Sequence, residues 1–525
     1  MVDEHGLVVR PAPNPIPGGP STVADVLDAG VAAHPDREAL VGRHRRYSYA
    51  ELDAEVDAAS AALASVGVGP GDRVAASLPN QTDIVVLFLG SMRRGAVWVG
   101  VNPALATPEK RYVLDDTGAS VFVTTPDAVD GSTVPTWTVD PGDGAGTWVE
   151  LVEAHRGEAP KRPVIDPHAA AAIAYTSGTT GFPKGAVHSQ HNLLWPGAAG
   201  REHDPAPPDE RHGVVLPLTL LNLQVLGPVF AFCKATTCVC VDRVDPVGLA
   251  EWITSERITR LTAVPTMLQD LLTHSDVDPA ALAVLRRPEC GGSATPHWFR
   301  DLFRERFGHD VYTGYGLTEA PTAVTREMPG DELVPGGSGR ALPPVELVIV
   351  GDDDRELPVG EVGEICVRAR RVGPWAGVYT PFLGYWNRPE ATRETLRGGI
   401  LHTNDLGSLD AGGRLRVHGR RIDVIVRGGA NVYPAEVERV LAEHRDVAAA
   451  AVFGVPDERL GEVVAAAVQL APGGAVGEDD LRAHCLASLA RYKVPRLWWF
   501  VPAMPRTAMG KIRKAELLAE LTARG

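Results

Sequence analysis

Ala and Leu recur at three- and four-residue steps over residues 22–33 and 49–66, a period that predicts helices. Short apolar runs bounded by Gly, Pro or Asp, at 73–78, 120–125 and 213–217, predict strands. Helix then short strand, repeated over roughly 300 residues, predicts an α/β body of two subdomains on largely parallel sheets. After Val334 the texture changes. Short strands at 345–350, 364–368 and 414–417, with a hairpin turn at Gly412-Gly413-Arg414, predict a small β subdomain. Beyond Arg420 an α+β unit follows, with helices at 435–443 and 479–489 and strands at 448–455 and 463–470. This organisation places the boundary at Arg420–Ile422, dividing the chain into 1–419 and 420–525. The first twenty residues read as a flexible arm, and no internal repeat is visible.

Composition narrows the class. The 525 residues suit three to four folding units, and 44% hydrophobic residues fill a large core. With 22% charged residues, wholesale disorder is excluded. The net charge of -15 argues against a nucleic-acid-binding protein. That charge is uneven: residues 420–525 carry 15 basic and 13 acidic side chains, leaving -17 on the rest. The six cysteines form no CxxC pair and are too sparse for a disulfide framework. The N-terminus has acids and prolines where a signal peptide needs a basic start and an apolar run, so a cytoplasmic location is expected. Residues 213–233 are uncharged, but Pro217, Asn222, Gln224 and Pro228 make them a buried strand, loop and helix rather than a membrane span.

The candidate chemistry centres on Tyr175-Thr-Ser-Gly-Thr-Thr-Gly-Phe-Pro-Lys184-Gly185, directly after an apolar run. Hydroxyls, glycines and a lysine on a loop leaving a strand make a phosphate-holding device, because glycines let backbone N–H groups turn inward. Thr176, Ser177, Gly178, Thr179, Thr180, Gly181 and Lys184 are its members. It is not a Walker A loop, since Gly185 stands where Ser or Thr would follow the lysine.

This run resembles the signature of the adenylate-forming superfamily: acyl-CoA synthetases, peptide-synthetase adenylation domains and beetle luciferases. Further motifs follow in the family's order: Tyr47–Leu52, Arg94–Pro103, Gly291-Gly-Ser-Ala294, Gly314-Tyr-Gly-Leu-Thr-Glu319, Gly384–Glu390, His402-Thr-Asn-Asp405, Gly419-Arg420, Arg427–Pro434 and Pro505–Lys511. The resemblance covers about residues 22 to 515. It implies nucleotide binding by Gly292, Ser293, Ala294, Gly314, Tyr315 and Gly316, with the Tyr315 ring against the purine. It further implies ribose binding by Asp405 beside Arg420, and a phosphate-side Thr318. Glu319 becomes the Mg2+ carboxylate, which suits an ion that needs one or two carboxylates plus phosphate oxygens. Lys511 becomes the ammonium that holds the attacking carboxylate and α-phosphate, on a C-terminal domain that moves. Gly428 and Gly429 belong to the loop that packs beside the pantetheine arm of CoA.

The Arg427–Pro434 loop and Ala435-Glu-Val-Glu438 look most like free-standing acyl-CoA synthetases, and no carrier-protein serine motif follows before Gly525. The chain departs from the family in the segment Pro217-Leu-Thr-Leu-Leu-Asn-Leu223. Leu220 replaces a usual histidine, Leu223 replaces a small glycine that opens the acyl tunnel, and Gln224 stands where an aromatic gate is common. With Asn222, these form the expected acid pocket. Ile422 replaces a polar hinge residue. The expected function is ligation of a small carboxylic acid to CoA through an acyl-adenylate, with ATP, Mg2+ and CoA, with no nucleic acid or membrane span and with oligomerisation open. Two rival readings are an adenylating ligase that serves a carrier protein, an amine or another small nucleophile, and a nucleotide-binding pseudoenzyme.

Overall fold

A computed structural model describes residues 2–524, apart from 129–132, 159, 177–182, 292–296 and 508–510. One seven-stranded sheet runs Gly384–Tyr385, Lys184–Ser189, Ala170–Thr176, Val97–Gly100, Arg73–Ser77, Val121–Thr124, Thr136–Thr138. Its pairs are parallel except around Lys184–Ser189, which opposes both neighbours. A second seven-stranded sheet runs Tyr312–Thr313, Arg287–Cys290, Arg260–Ala263, Arg211–Val214, Thr237–Cys240, Glu38–Val41, Arg46–Ser48, with only the last pair antiparallel. A six-stranded antiparallel sheet follows, from Thr325–Arg326 to Val345–Val350. One continuous apolar core joins these three sheets into a large N-terminal domain. A smaller C-terminal domain holds a five-stranded sheet with cores of its own, among them Ile425, Val437, Val464 and Leu481.

Local chemistry explains the elements. Helix Tyr49–Ser65 starts at a capping box, in which Ser48 Oγ accepts from Glu51 N–H at 3.3 Å and Glu51 Oε2 accepts from Ser48 N–H at 2.8 Å. It buries Tyr49, Leu52, Val56, Ala59 and Leu63 on one face. The strand Val345–Val350 falls where the apolar run predicts it. The uncharged stretch at 213–233 is the end of a strand, a loop and a helical segment, and no described helix is long and apolar enough to cross a membrane.

Three expectations shift. The helix expected over 22–33 is split into a 3-10 turn, Val23–Asp25, and a helix, Asp28–Ala33. Thr22 Oγ1 donates to Asp25 Oδ2 at 2.6 Å and closes the first turn on itself. The strand expected at 213–217 lies at Arg211–Val214, because Arg211 and His212 find partners inside the protein. The N-terminal arm is docked. Val8 N–H bonds the Leu383 carbonyl at 2.7 Å, Arg10 bonds that of Phe382 at 3.0 Å, and His5 stacks on Trp386 at 4.3 Å.

Candidate functional site

At the edge of the second sheet, strand Tyr312–Thr313 runs into Gly314-Tyr315-Gly316. Thr325 N–H bonds the Tyr315 carbonyl at 3.0 Å and Glu327 N–H bonds that of Thr313 at 2.8 Å, so the chain doubles back along itself. A Cβ at Gly316 would collide with the Thr322 carbonyl, and one at Gly314 would stand 2.5 Å from that of Thr325. Only glycine fits this double-back. At its tip Thr322 has φ +88°, a left-handed conformation that is costly for a β-branched residue. The strained turn presents Thr318 and Glu319.

Two strands of the six-stranded sheet bring the next groups. Asp405 on Leu401–Leu409 lies in register with Arg420 at the end of Arg414–Arg420. Asp405 Oδ2 accepts from Tyr315 OH at 2.7 Å, and Oδ1 stands 3.7 Å from Arg420 Nε. Burial pushes the Asp405 carboxyl up, against the pull of Tyr315, Arg420 and Lys511. Burial and Asp405 together push the Tyr315 phenol well above its usual value, so it stays a hydrogen-bond donor.

Glu319 Oε1 accepts from Tyr385 OH at 2.6 Å, and the Glu319 carbonyl accepts from Phe382 N–H at 2.9 Å. Tyr385 pairs across to Ala186, and Lys184 Nζ sits 5.3 Å from the centre of its ring. Thr176 Oγ1 donates to the Lys184 carbonyl at 3.4 Å, between the two strands that flank the expected phosphate-holding run. Lys511, from the C-terminal domain, completes the group. Desolvation and Arg420 lower the ammonium pKa of this exposed residue while Asp405 and Glu319 raise it, so all three groups lie within its electrostatic reach. A further tie across the domains is Trp298 Nε1–H to the Ala442 carbonyl at 2.5 Å.

The structure thus joins Thr318, Glu319, Tyr315, Asp405, Arg420, Lys511 and Lys184. Ser177, Gly178, Thr179, Thr180, Gly181, Gly292, Ser293 and Ala294 lie outside the described residues. Gly428 and Gly429, at φ +58° and +84°, form an exposed turn of the C-terminal domain. In the expected acid pocket, Leu220 and Asn222 are half-buried. Leu223 is enclosed, and Gln224 is fully buried with its Nε2 donating to the Leu218 carbonyl at 2.9 Å. Gln224 thus ties the helix to its own entry loop through its nitrogen, while its buried Oε1 has no hydrogen-bond partner among the described residues. The sequence reading gives no role to Tyr385 or Glu364. Tyr385 lies in a quoted motif, and Glu364 shows only as an acid opening an apolar strand.

Residues 27–376 match the family described as AMP-binding enzyme, and 436–511 match the AMP-binding enzyme C-terminal domain. Feruloyl-CoA synthase of Amycolatopsis sp is 35% identical over 93% of this chain and 98% of its own. A long-chain-fatty-acid–CoA ligase of Mycobacterium tuberculosis is 33% identical over 91% and 94%. The crystal structure of an anthranilate CoA ligase with anthranoyl-AMP superposes with TM-score 0.88 at 26% identity, covering 96% of this chain and 98% of that one.

Proposed function

Because the chain belongs to the AMP-binding enzymes, the adenylate-forming superfamily, we propose the following division of labour for an ATP-dependent acid:CoA ligase. A carboxylate oxygen of the acid attacks the α-phosphorus of ATP, the bond to pyrophosphate breaks, and an acyl-adenylate forms. The CoA thiol then attacks the acyl carbon, loses its proton, and AMP leaves. Tyr315, Asp405 and Arg420 hold the nucleoside, while the 176–181 loop, Lys184 and Thr318 hold the phosphates. Lys511 places its ammonium where charge builds on phosphorus and on the incoming carboxylate, the point at which a fixed cation accelerates the step most.

The residues fit Mg2+. Glu319 offers one carboxylate at the cleft beside the Thr318 hydroxyl, a donor set that phosphate oxygens and water complete. When bound, the ion neutralises phosphate charge. Tyr385 holds the Glu319 carboxylate through its hydroxyl, and the cleft positions the acid.

Between the half-reactions the C-terminal domain, residues 420–525, pivots on the turn Arg421–Asp423, withdrawing Lys511 and bringing Gly428–Gly429 to the CoA thiol. The described arrangement, with Lys511 in the cleft, corresponds to the first step. The acid is compact, aromatic or of short to medium chain, because Leu223 closes the passage that a glycine would leave. A cytoplasmic location, where ATP and CoA are both supplied, suits this reaction.

The convergence of Lys511, Asp405, Arg420 and Glu319 carries this reading. The test is pyrophosphate release from a panel of carboxylic acids, with and without CoA. Acid-dependent release with CoA-dependent thioester formation is expected. Release without any thioester would move the acceptor to a carrier protein, an amine or another nucleophile, and no release at all would leave only nucleotide binding.

A further inference from the structure

On one face of the second sheet, a set of charged residues is enclosed beneath the helical segment 221–233. His212, Arg260 and Arg287 stand in one row, with Thr262, Glu289 and Tyr312 in the next. Asp204 Oδ2 bonds Arg260 at 2.6 Å and Asp204 Oδ1 bonds Arg287 at 2.8 Å. Glu210 pairs with Lys234 at 2.9 Å, and Glu289 Oε1 bonds Arg260 at 2.6 Å. Arg326 joins them from Thr325–Arg326, the edge strand of the six-stranded sheet. Three carboxylates face four cations, and burial keeps His212 uncharged by pushing its pKa down to about 3. One positive charge is in excess.

The excess falls on Arg326. Its nearest carboxylate oxygen, Glu289 Oε2, is 3.9 Å away, and it donates no hydrogen bond to any described residue. Its guanidinium lies 5.2 Å from the centre of the Phe230 ring, and its side chain is 12% exposed. Burial pulls its pKa below the ordinary arginine value, so the charge sits in a poorly solvated place.

Positions near it are incompletely covered. Thr262 is half-buried although it lies in a central strand of the sheet, and Asn222 and Leu226, four residues apart, are the half-buried positions in a helical segment that is otherwise enclosed. A Cβ built on Gly291 meets nothing within 4 Å. This space adjoins the reaction centre: Thr325 and Glu327, flanking Arg326, bond the Tyr315 and Thr313 carbonyls.

We propose that Arg326 closes the far end of the acid pocket and recognises a second oxygen acceptor, a carboxylate or a carbonyl, at the end of the substrate remote from the carboxylate that is activated. The inference rests on the ligase reading above and names its substrate class. Arg326 has only a long ion-pair contact with Glu289 and no hydrogen-bond acceptor among the described residues, and a ligand oxygen supplies one where a hydrocarbon end does not. A site built in this way discriminates strongly against the analogue lacking the acceptor.

Phenylpropionates bearing para-carboxy, para-acetyl or para-isopropyl groups match in shape and differ in the acceptor. Wild-type kcat/KM for pyrophosphate release is expected to favour the carboxy or acetyl compound over the isopropyl one by at least about tenfold. Arg326→Met should erase that ratio, Arg326→Lys should keep part of it, and the KM for ATP should stay unchanged in both. Glu289 keeps Arg260 and Arg287 as partners in either variant, and melting curves verify folding. A wild type that favours the isopropyl acid, or a ratio that survives Arg326→Met, overturns this inference and leaves the ligase reading intact. If no acid releases pyrophosphate, the ligase reading fails instead, and the rise in melting temperature on adding each acid decides here. A rise with the carboxy or acetyl acid that Arg326→Met abolishes supports the subsite, and equal or absent shifts refute it.

Discussion

Replacing Glu364 by alanine tests how the proposed nucleoside end of the cleft is held. Glu364 is 2% exposed in strand Gly363–Ala369. Its carboxylate accepts from Asn404 N–H at 2.9 Å and from Arg397 at 3.1 Å, and lies 3.1 Å from His402 Nδ1. Asn404 stands at φ +58°, and the next residue is Asp405. Glu364 therefore secures the left-handed strand position just before Asp405, the proposed nucleoside-binding carboxylate. Removing one partner of a buried charged pair typically costs about 3–5 kcal/mol, and each orphaned buried donor about 1–3 kcal/mol, overlapping quantities here. We expect Glu364→Ala to lose about 3–5 kcal/mol of N-terminal-domain stability by urea unfolding. The KM for ATP should rise about tenfold or more as Asp405 loses its fixed position, a change equivalent to about 1.4 kcal/mol. Glu364→Gln keeps an oxygen for Asn404 N–H and should lose about half as much stability.

Burial raises the Glu364 pKa, but His402, Asn404 N–H and Arg397 prevail and hold it below the ordinary carboxylate value. Its stabilising contribution is therefore present above the unfolded-state pKa and lost as pH falls through the folded one. The gap between wild type and Glu364→Gln should close on acidification. An unchanged KM for ATP in a folded Glu364→Ala variant would refute the positioning role, leaving Glu364 a matter of stability alone.

Lys511→Ala should lower adenylate formation by about 10²–10³ yet spare thioester formation from pre-made acyl-adenylate, and an equal fall in both would refute its one-sided role. The depressed Lys511 pKa places the alkaline limb of kcat/KM for pyrophosphate release below the ordinary lysine value, because deprotonation removes the cation; Lys511→Arg should move that limb upward, and a limb that does not move assigns it elsewhere. Ile422 is 67% exposed, so an alternate domain arrangement that buries it would gain about 1.5–3 kcal/mol. Ile422→Asp should then shift the ratio of the two half-reaction rates by about tenfold toward adenylation, Ile422→Pro should spare only one half-reaction, and single-turnover kinetics showing an unchanged ratio for Ile422→Asp would refute the hinge argument.

Local periodicity reads well where side chains meet only their own element. The helix Tyr49–Ser65 and the strand Val345–Val350 are plain in the sequence because one face of each is apolar and turn residues bound it. It reads poorly where tertiary partners change what a residue is. Arg211 and His212 look like loop residues, yet they open a central strand because Glu38, Glu256 and Thr262 satisfy them inside. Asp405 and Tyr315 are 90 residues apart, so no spacing rule links them, and only the ordered motifs suggest that they share a site. Gln224 is only half explained by its neighbours, because the Leu218 carbonyl uses its donor while its buried Oε1 has no partner among the described residues. Arg326 leaves no local signature at all, since its meaning comes from a charge balance summed over three strands and the connections Asp204, Glu210 and Lys234.

The docked N-terminal arm has a consequence for how the chain is made. Its partners, Phe382 to Pro389, emerge some 375 residues later, and Phe382 and Tyr385 also brace Glu319. At a synthesis rate of about 5–20 residues per second, the first ten residues wait roughly 20–75 seconds with nothing to bind. Both seven-stranded sheets likewise wait for their distal edges, but the arm waits while already displayed at the end of the chain. Its prolines and glycines, which suggest permanent flexibility, suit a segment that must avoid other partners until the back wall of the cleft arrives.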